Sequence, residues 1–442
     1  MLKSKFLSNA SWMIGGKIFQ MFISLVMSMI TARYLGPSNY GVINYTSSFV
    51  AFFTSICTLG LNGIIVKELI DKPDLEGEIL GTSIIMRLVS SLFSCISILY
   101  IIKLLNPEEK IFLVIAFLQV VLLVFQSFDM INYWYQAKMM SKFCAIIQSV
   151  GYLSMTVYRI IILILGKSVE WFAFCTSLDM IVISSLLIIS YYKNGGKKLK
   201  FSWELSKNMI SKSYHFILSG LMVAVYGQMD KIMLGKMIST DVVGFYSTAA
   251  AICSMWTFIL SAIIDAARPI IMEGRKEDKE LYQRRIKQLY AAIIWISFSV
   301  AAVFSILAKW IILILYGEQF IPAIEPLRII AWSTAFSYLG VARGIWIVCE
   351  GKQNYEKYLS FLGSVCNLIL NFVLIPTIGI NGAAIATLIT QIMTNLIIPM
   401  MIKDTRENSI YIIEAIFFKD VISKGTIKKI LDKLIKRELK AT

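Results

Sequence analysis

The chain has 442 residues, 57% of them hydrophobic and 16% charged, with a formal net charge of +15. Soluble domains run near one half apolar and one quarter charged, so this composition excludes an ordinary soluble enzyme. The apolar excess is gathered into continuous runs of about 20 residues, the length that crosses a bilayer core. The runs do not alternate, which excludes a β-barrel and leaves a helical bundle as the way to satisfy the backbone in hydrocarbon.

Lys3 and Lys5 precede the first run. It is too long for a signal-peptide core and no small-residue cleavage site follows, so it reads as a first transmembrane helix. About twelve spans are expected, near 9–34, 40–66, 79–102, 111–136, 143–165, 169–192, 214–235, 242–264, 289–315, 327–349, 357–376 and 380–402. The run Ile410 to Phe418 is too short to add another. In the basic tail beyond Lys403, Ile427, Ile430, Leu431, Leu434 and Ile435 share one helical face. Lys428, Lys429, Lys433, Lys436, Arg437 and Lys440 take much of the rest, the pattern of a helix lying on anionic lipid. The longest internal loops, 193–213 and 267–288, leave no room for a catalytic module outside the membrane.

Most of the 43 Lys and Arg lie on one side of this layout: the N-terminus, the middle loop with Lys193, Lys197, Lys198, Lys200, Lys207 and Lys212, the loop 267–288, and the tail. In its turns and the flanking span ends, the other side holds only Arg33, Lys103, Lys110, Lys167, Lys236, Lys309 and Arg328. The positive-inside rule then places both termini in the cytoplasm, as an even number of spans requires. A basic balance spread over short loops reports topology, and no nucleic-acid partner is expected.

The chain repeats itself. Leu35-Gly36 and Tyr40-Gly41-Val42 precede the second span; Leu234-Gly235 and Val243-Gly244-Phe245-Tyr246 precede the eighth. With Gly41 set on Gly244, Asn44 falls on Ser247, Thr58 on Ser261 and Asn62 on Asp265. Two six-helix units of equal orientation follow, parallel repeats about an axis along the membrane normal. The expected domains are an N-lobe over 1–192, a basic linker over 193–213, a C-lobe over 214–402 and a cytoplasmic tail over 403–442. Repeated halves around a central site are a transporter architecture.

Polar residues mark that site. Asn44, Ser48, Ser55, Thr58 and Asn62 are spaced three, four or seven apart and form one face of the second span; Ser261 and Asp265 continue the pattern in the eighth. Such a stripe can glue helices together or line a water-filled cavity or gate. Intramembrane charge is the stronger signal, because burying it costs several kcal/mol and is kept for a function or an ion pair. The cations are Lys17, Arg87, Arg159, Lys231 and Arg343; the candidate acidic partners are Asp129, Asp179, Asp230 and Asp265. The seven cysteines sit in apolar runs without a CxxC pair, and the single His215 has no ligand partners, so neither a metal nor a cofactor is expected. Gly166-Lys167-Ser168 lacks the rest of a phosphate-binding loop, and no other catalytic motif stands in a usable context. The chain does not read as an enzyme.

Four stretches together resemble the polysaccharide-transport family, specifically Wzx-type O-antigen flippases. They are Thr31-Ala32-Arg33-Tyr34-Leu35-Gly36-Pro37 through Tyr40-Gly41; Asp230-Lys231-Ile232-Met233-Leu234-Gly235 with Val243-Gly244-Phe245-Tyr246-Ser247; Tyr133-Trp134-Tyr135-Gln136; and Asn371 through Pro376 with Gly379 through Thr387. The resemblance covers nearly the whole chain. It implies the MATE-like fold of the MOP superfamily, all-α, with two six-helix lobes and alternating access. It also implies an inner-membrane protein with an undecaprenyl-diphosphate-linked oligosaccharide as substrate, moved from the cytoplasmic to the periplasmic leaflet. The cations would meet the headgroup in an inner and an outer station. Membrane lipids, and the polymerase and chain-length regulator of the same pathway, are the implied partners. A multidrug or cation-coupled extruder on the same fold is the alternative. Relatives with fourteen spans carry two helices that this chain lacks.

Overall fold

The computed structural model describes residues 2–418, with side chains apart from those of 2–20, 22 and 141. Its helices are α1 (Leu2–Cys57), α2 (Ile65–Asp71), α3 (Glu76–Leu105), α4 (Lys110–Gln126), α5 (Met130–Ala137), α6 (Ser141–Ile164), α7 (Val169–Lys193) and α8 (Trp203–Met237). They continue as α9 (Thr240–Ser254), α10 (Thr257–Glu277), α11 (Lys279–Leu315), α12 (Ile324–Cys349), α13 (Gln353–Ile378), α14 (Ile380–Ile392), α15 (Ile398–Met401) and α16 (Arg406–Ile416). The expected amphipathic tail helix lies outside the described residues.

Helix α1 contains the first expected span and most of the second, whose expected run to residue 66 breaks after Cys57. The two spans meet at Gly36, whose φ of 71° and ψ of 172° break the helix, with Pro37 directly after it. A side chain at such a φ is strained, and proline supplies no N–H to carry the ladder through. Among the described residues nine helices are long and apolar enough to cross a membrane, or up to ten if the bent pair Ile23–Cys57 and Leu61–Asp71 forms one span. Those nine match the expected spans three to nine, eleven and twelve. Helix α12, the expected tenth, falls short because Ser333, Thr334, Ser337, Gly340, Arg343 and Gly344 dilute its apolar run.

The described helices pack as two compact units. The first holds Met1–Ala251 with Ile312–Ala323 and Asn371–Ile380. Its core gathers Leu61, Ile79, Trp134, Tyr135, Tyr191 and Met209. The basic linker is built into this unit: Lys200 N–H donates to the Gly77 carbonyl at 3.0 Å and Ser202 N–H to Thr82 Oγ1 at 2.9 Å. A Cβ on Gly81 would come within 2.3 Å of the Lys200 carbonyl oxygen, so the missing side chain admits the linker. Ser202 also caps α8 by accepting from Leu205 N–H, so the helix begins at Trp203, inside the segment expected as linker.

The second unit holds Ile252–Ile311, Ile324–Leu370 and the chain from Asn381. Ile264, Tyr282, Tyr290, Trp346, Tyr411 and Ile412 meet in its core. The short run after residue 405 is thus neither a span nor a free tail, because α16 seals this core and Tyr290 donates to Asn408 within it. The division into units cuts across the expected halves, since α8 lies in the first unit with α1 and α3.

Candidate functional site

Four of the five intramembrane cations have described side chains, and they stand in different surroundings. Lys17 lies outside the described side chains. Arg87 on α3 is 2% exposed and its Nε has no hydrogen-bond partner. Asp129 is the acid whose charge acts on it. Asn132 Nδ2 donates to Asp129 Oδ1 at 3.1 Å, holding the carboxylate beside the following turn. Ser94 Oγ and Gln126 Oε1 are likewise buried and unmatched. Unmatched polar atoms at this density are costly in hydrocarbon unless they serve water or a ligand.

Arg159 on α6 is half-buried and faces Asp179 and Cys175 of α7. The two helices approach closely because Gly151 has no side chain; a Cβ there would lie 2.4 Å from Ile183 and 3.2 Å from Asp179 Oδ1. Lys231 is half-buried beside Asp230 on α8. Asp230 is 5% exposed and accepts from Tyr246 Oη at 2.5 Å and from Asn371 Nδ2 at 2.6 Å. Tyr246 and Asn371 lie in the motifs that carried the family resemblance, but the sequence reading gave them no role. An amide and a phenol inside apolar runs were the available signal.

Arg343 is 1% exposed; its two terminal nitrogens bond inside the second unit while its Nε is unmatched. It donates to the Thr394 carbonyl at 3.0 Å and pairs with Glu356 at 3.3 Å. Thr394 sits in a π-helical turn, Met393–Ile397, where the ordinary ladder is interrupted and carbonyls need other donors. This geometry makes Arg343 a pin for the turn. Arg343→Ala should destabilise the detergent-solubilised protein by roughly 1–3 kcal/mol, because it leaves the Thr394 carbonyl without its donor while the half-exposed Glu356 keeps its solvation. Thermal unfolding checks this, and an unchanged midpoint would refute the pin.

The polar stripe turns inward on its own helix. Asn44 donates to the Tyr40 carbonyl at 2.8 Å, Ser48 to Asn44 at 2.7 Å and Thr58 to Ser55 at 3.1 Å. Ser261 donates to Thr257 at 3.3 Å and lies 3.4 Å from Tyr338 Oη. Such back-bonding keeps hydroxyls satisfied without a cavity. Asn62 and Asp265 are exposed, and Asp265 pairs with Arg268 at 3.4 Å. Beyond the second span, Lys212 Nζ bonds Glu68 at 2.6 Å with Lys72 at 3.3 Å, which holds the Glu68 carboxyl below its ordinary range. Among the described residues no group of three His, Cys, Asp or Glu is placed to hold a metal.

These features belong to a polytopic helical protein with charge and amides inside the membrane. The model of a family described as polysaccharide biosynthesis protein matches residues 6–275. The chain belongs to that family. The capsular polysaccharide biosynthesis protein CapF of Staphylococcus aureus is 21% identical over 87% of this chain and 96% of its own. The probable flippase AglR of Haloferax volcanii is 22% identical over 85% and 79%. The fold is shared with solved transporters. An inward-facing multidrug MATE transporter superposes with a TM-score of 0.67 at 16% identity, covering 90% of this chain and 93% of that one. The lipid II flippase MurJ, in an inward closed conformation, gives 0.60 at 12% identity over 96% and 98%. The family resemblance read from the four sequence stretches is thereby shown.

Proposed function

We propose that this family member flips a polyprenyl-diphosphate-linked oligosaccharide, an O-antigen or similar repeat unit, from the cytoplasmic to the periplasmic leaflet of the inner membrane by alternating access. The family match over residues 6–275, extended by a relative named as a probable flippase over most of the chain, carries the reading. Physical chemistry supports it. A glycan and a diphosphate cannot cross hydrocarbon unaided. Intramembrane guanidinium groups can take two phosphate oxygens at once, while the lipid tail stays in the bilayer. Arg87 and Arg159 are the residues proposed to meet the headgroup; Lys17 and Lys231 add point charge. Asp230 and the polar stripe border the path, with Asn62 and Asp265 at its cytoplasmic mouth. Both termini face the cytoplasm, and the polymerase and chain-length regulator of the pathway are the proposed partners.

Reconstituted into liposomes, the chain should move a fluorescent diphosphate-linked glycolipid between leaflets at least about tenfold faster than empty vesicles, since the headgroup alone faces a barrier of many kcal/mol. Quenching of the probe in one leaflet measures this. A rate equal to that of empty vesicles, with export of cationic dyes instead, would establish the multidrug reading that the MATE-like fold also accommodates.

A further inference from the structure

One end of the first unit is tied in a reciprocal way. Arg33, at the end of the first span, donates to the carbonyls of Leu313 at 3.3 Å and of Ile314, in the last turn of α11. Lys236, at the end of the seventh span, donates to the carbonyl of Leu105, the last residue of α3, at 2.6 Å. The first and seventh spans are repeat mates, and so are α3 and α11, the third and ninth. Each half therefore lends one cation to cap a helix of the other half. The last carbonyls of a helix lack intrahelical partners and carry the negative end of its dipole, so a cation there is favoured.

Further contacts join the two halves at this end. Gly41 and Gly244, the repeat-related glycines, cross backbone to backbone: a Cβ on Gly41 would lie 1.8 Å from the Thr240 carbonyl oxygen, and one on Gly244 2.3 Å from that of Pro37. Phe320, fully buried, stands edge-on to Tyr40 at 6.3 Å and to Phe245 at 6.0 Å. Residues from both halves thus meet in direct contact at this end. By the charge asymmetry of the loops it is the periplasmic end.

We propose that Arg33 and Lys236 form a double latch on the periplasmic gate: exchanged helix caps hold the gate shut, and both release when the path opens outward. Arg33 and Lys236 are exposed, so each cap is weak alone and easily broken, which suits a gate that must open. The latch rests on the flippase reading only for what passes through the gate.

Val243, fully buried in this end, reports its state. In right-side-out membrane vesicles, Val243→Cys should react slowly with a membrane-impermeant maleimide, against the parent chain as background. Adding Arg33→Gln and Lys236→Gln together should speed labelling about fivefold or more, and either alone about twofold, as expected for helix-end caps lost from a two-state closure. The exchange Arg33→Lys with Lys236→Arg keeps both charges and should leave labelling slow. Unchanged labelling in the double variant, or in both single variants where the double variant does not accumulate, overturns the latch. Faster labelling in a protein whose parent moves no glycolipid would instead refute the flippase reading and leave the latch standing.

Discussion

Arg87→Ala should deplete the protein from the membrane and abolish export, and Arg87→Ala with Asp129→Asn should restore the protein but not the export. Arg87 is almost fully buried on α3, with Asp129 as the acid whose charge acts on it. Removing the cation leaves the Asp129 side chain in the membrane interior without the positive charge that acts on it, which lowers stability. A neutral amide at 129 removes that penalty. What it cannot replace is the guanidinium, whose Nε is unmatched in this structure and whose planar fork suits a diphosphate. Arg87→Lys keeps the charge and should retain part of the transport, because lysine meets phosphate as a point charge. Immunoblotting of membranes and surface polysaccharide staining separate the two effects. Recovery of both in the double variant would make Arg87 a structural counter-ion and nothing more.

The helical class and most of the spans were legible because a bilayer imposes one length and one polarity on every crossing segment. Helix α12 shows where that signal weakens: its small and polar residues are buried against protein, so its hydropathy no longer reports its length. The run that forms α16 reads correctly as too short for a span, but its place in a core shows only in the structure, since a short apolar run carries no sign of what it packs against. The four cations with described side chains were found in sequence but not sorted. Arg343 and Arg87 look alike there, and each has an unmatched Nε, but Arg343 is bonded to a π-turn carbonyl and to Glu356, whereas the acid acting on Arg87 is Asp129. Charge is visible in a sequence; its partner, more than a hundred residues away for Asp230 and Asn371, is not. The glycine repeat was read as evidence of duplication. Its packing meaning needed coordinates, because nothing local distinguishes Gly41 from Gly63, around which there is open space.

Gly244→Ala should reduce export about tenfold and Gly41→Ala should reduce it further. Neither glycine has a positive φ, so the requirement is not conformational. It is contact: the added carbon meets the Pro37 carbonyl oxygen at 2.3 Å in the first case and the Thr240 carbonyl oxygen at 1.8 Å in the second. Both obstacles are backbone, which cannot rotate aside as a side chain would. The helices must separate, and overpacking of this kind costs about 1–3 kcal/mol. That is a factor of roughly 5 to 150 in a two-state equilibrium. The penalty falls on the closed form alone, so the population moves toward an open periplasmic end and a carrier that cannot close cannot cycle. Gly227→Ala supplies the control. It lies within α8 with nothing in contact distance of the new Cβ, and should gain about 0.5–1 kcal/mol of helix stability without loss of export. Maleimide labelling of Val243→Cys in the Gly244→Ala background decides between a gate and ordinary packing. A lowered thermal midpoint with labelling still slow would show that the two glycines only hold helices together; fast labelling at a near-normal midpoint is the expected result.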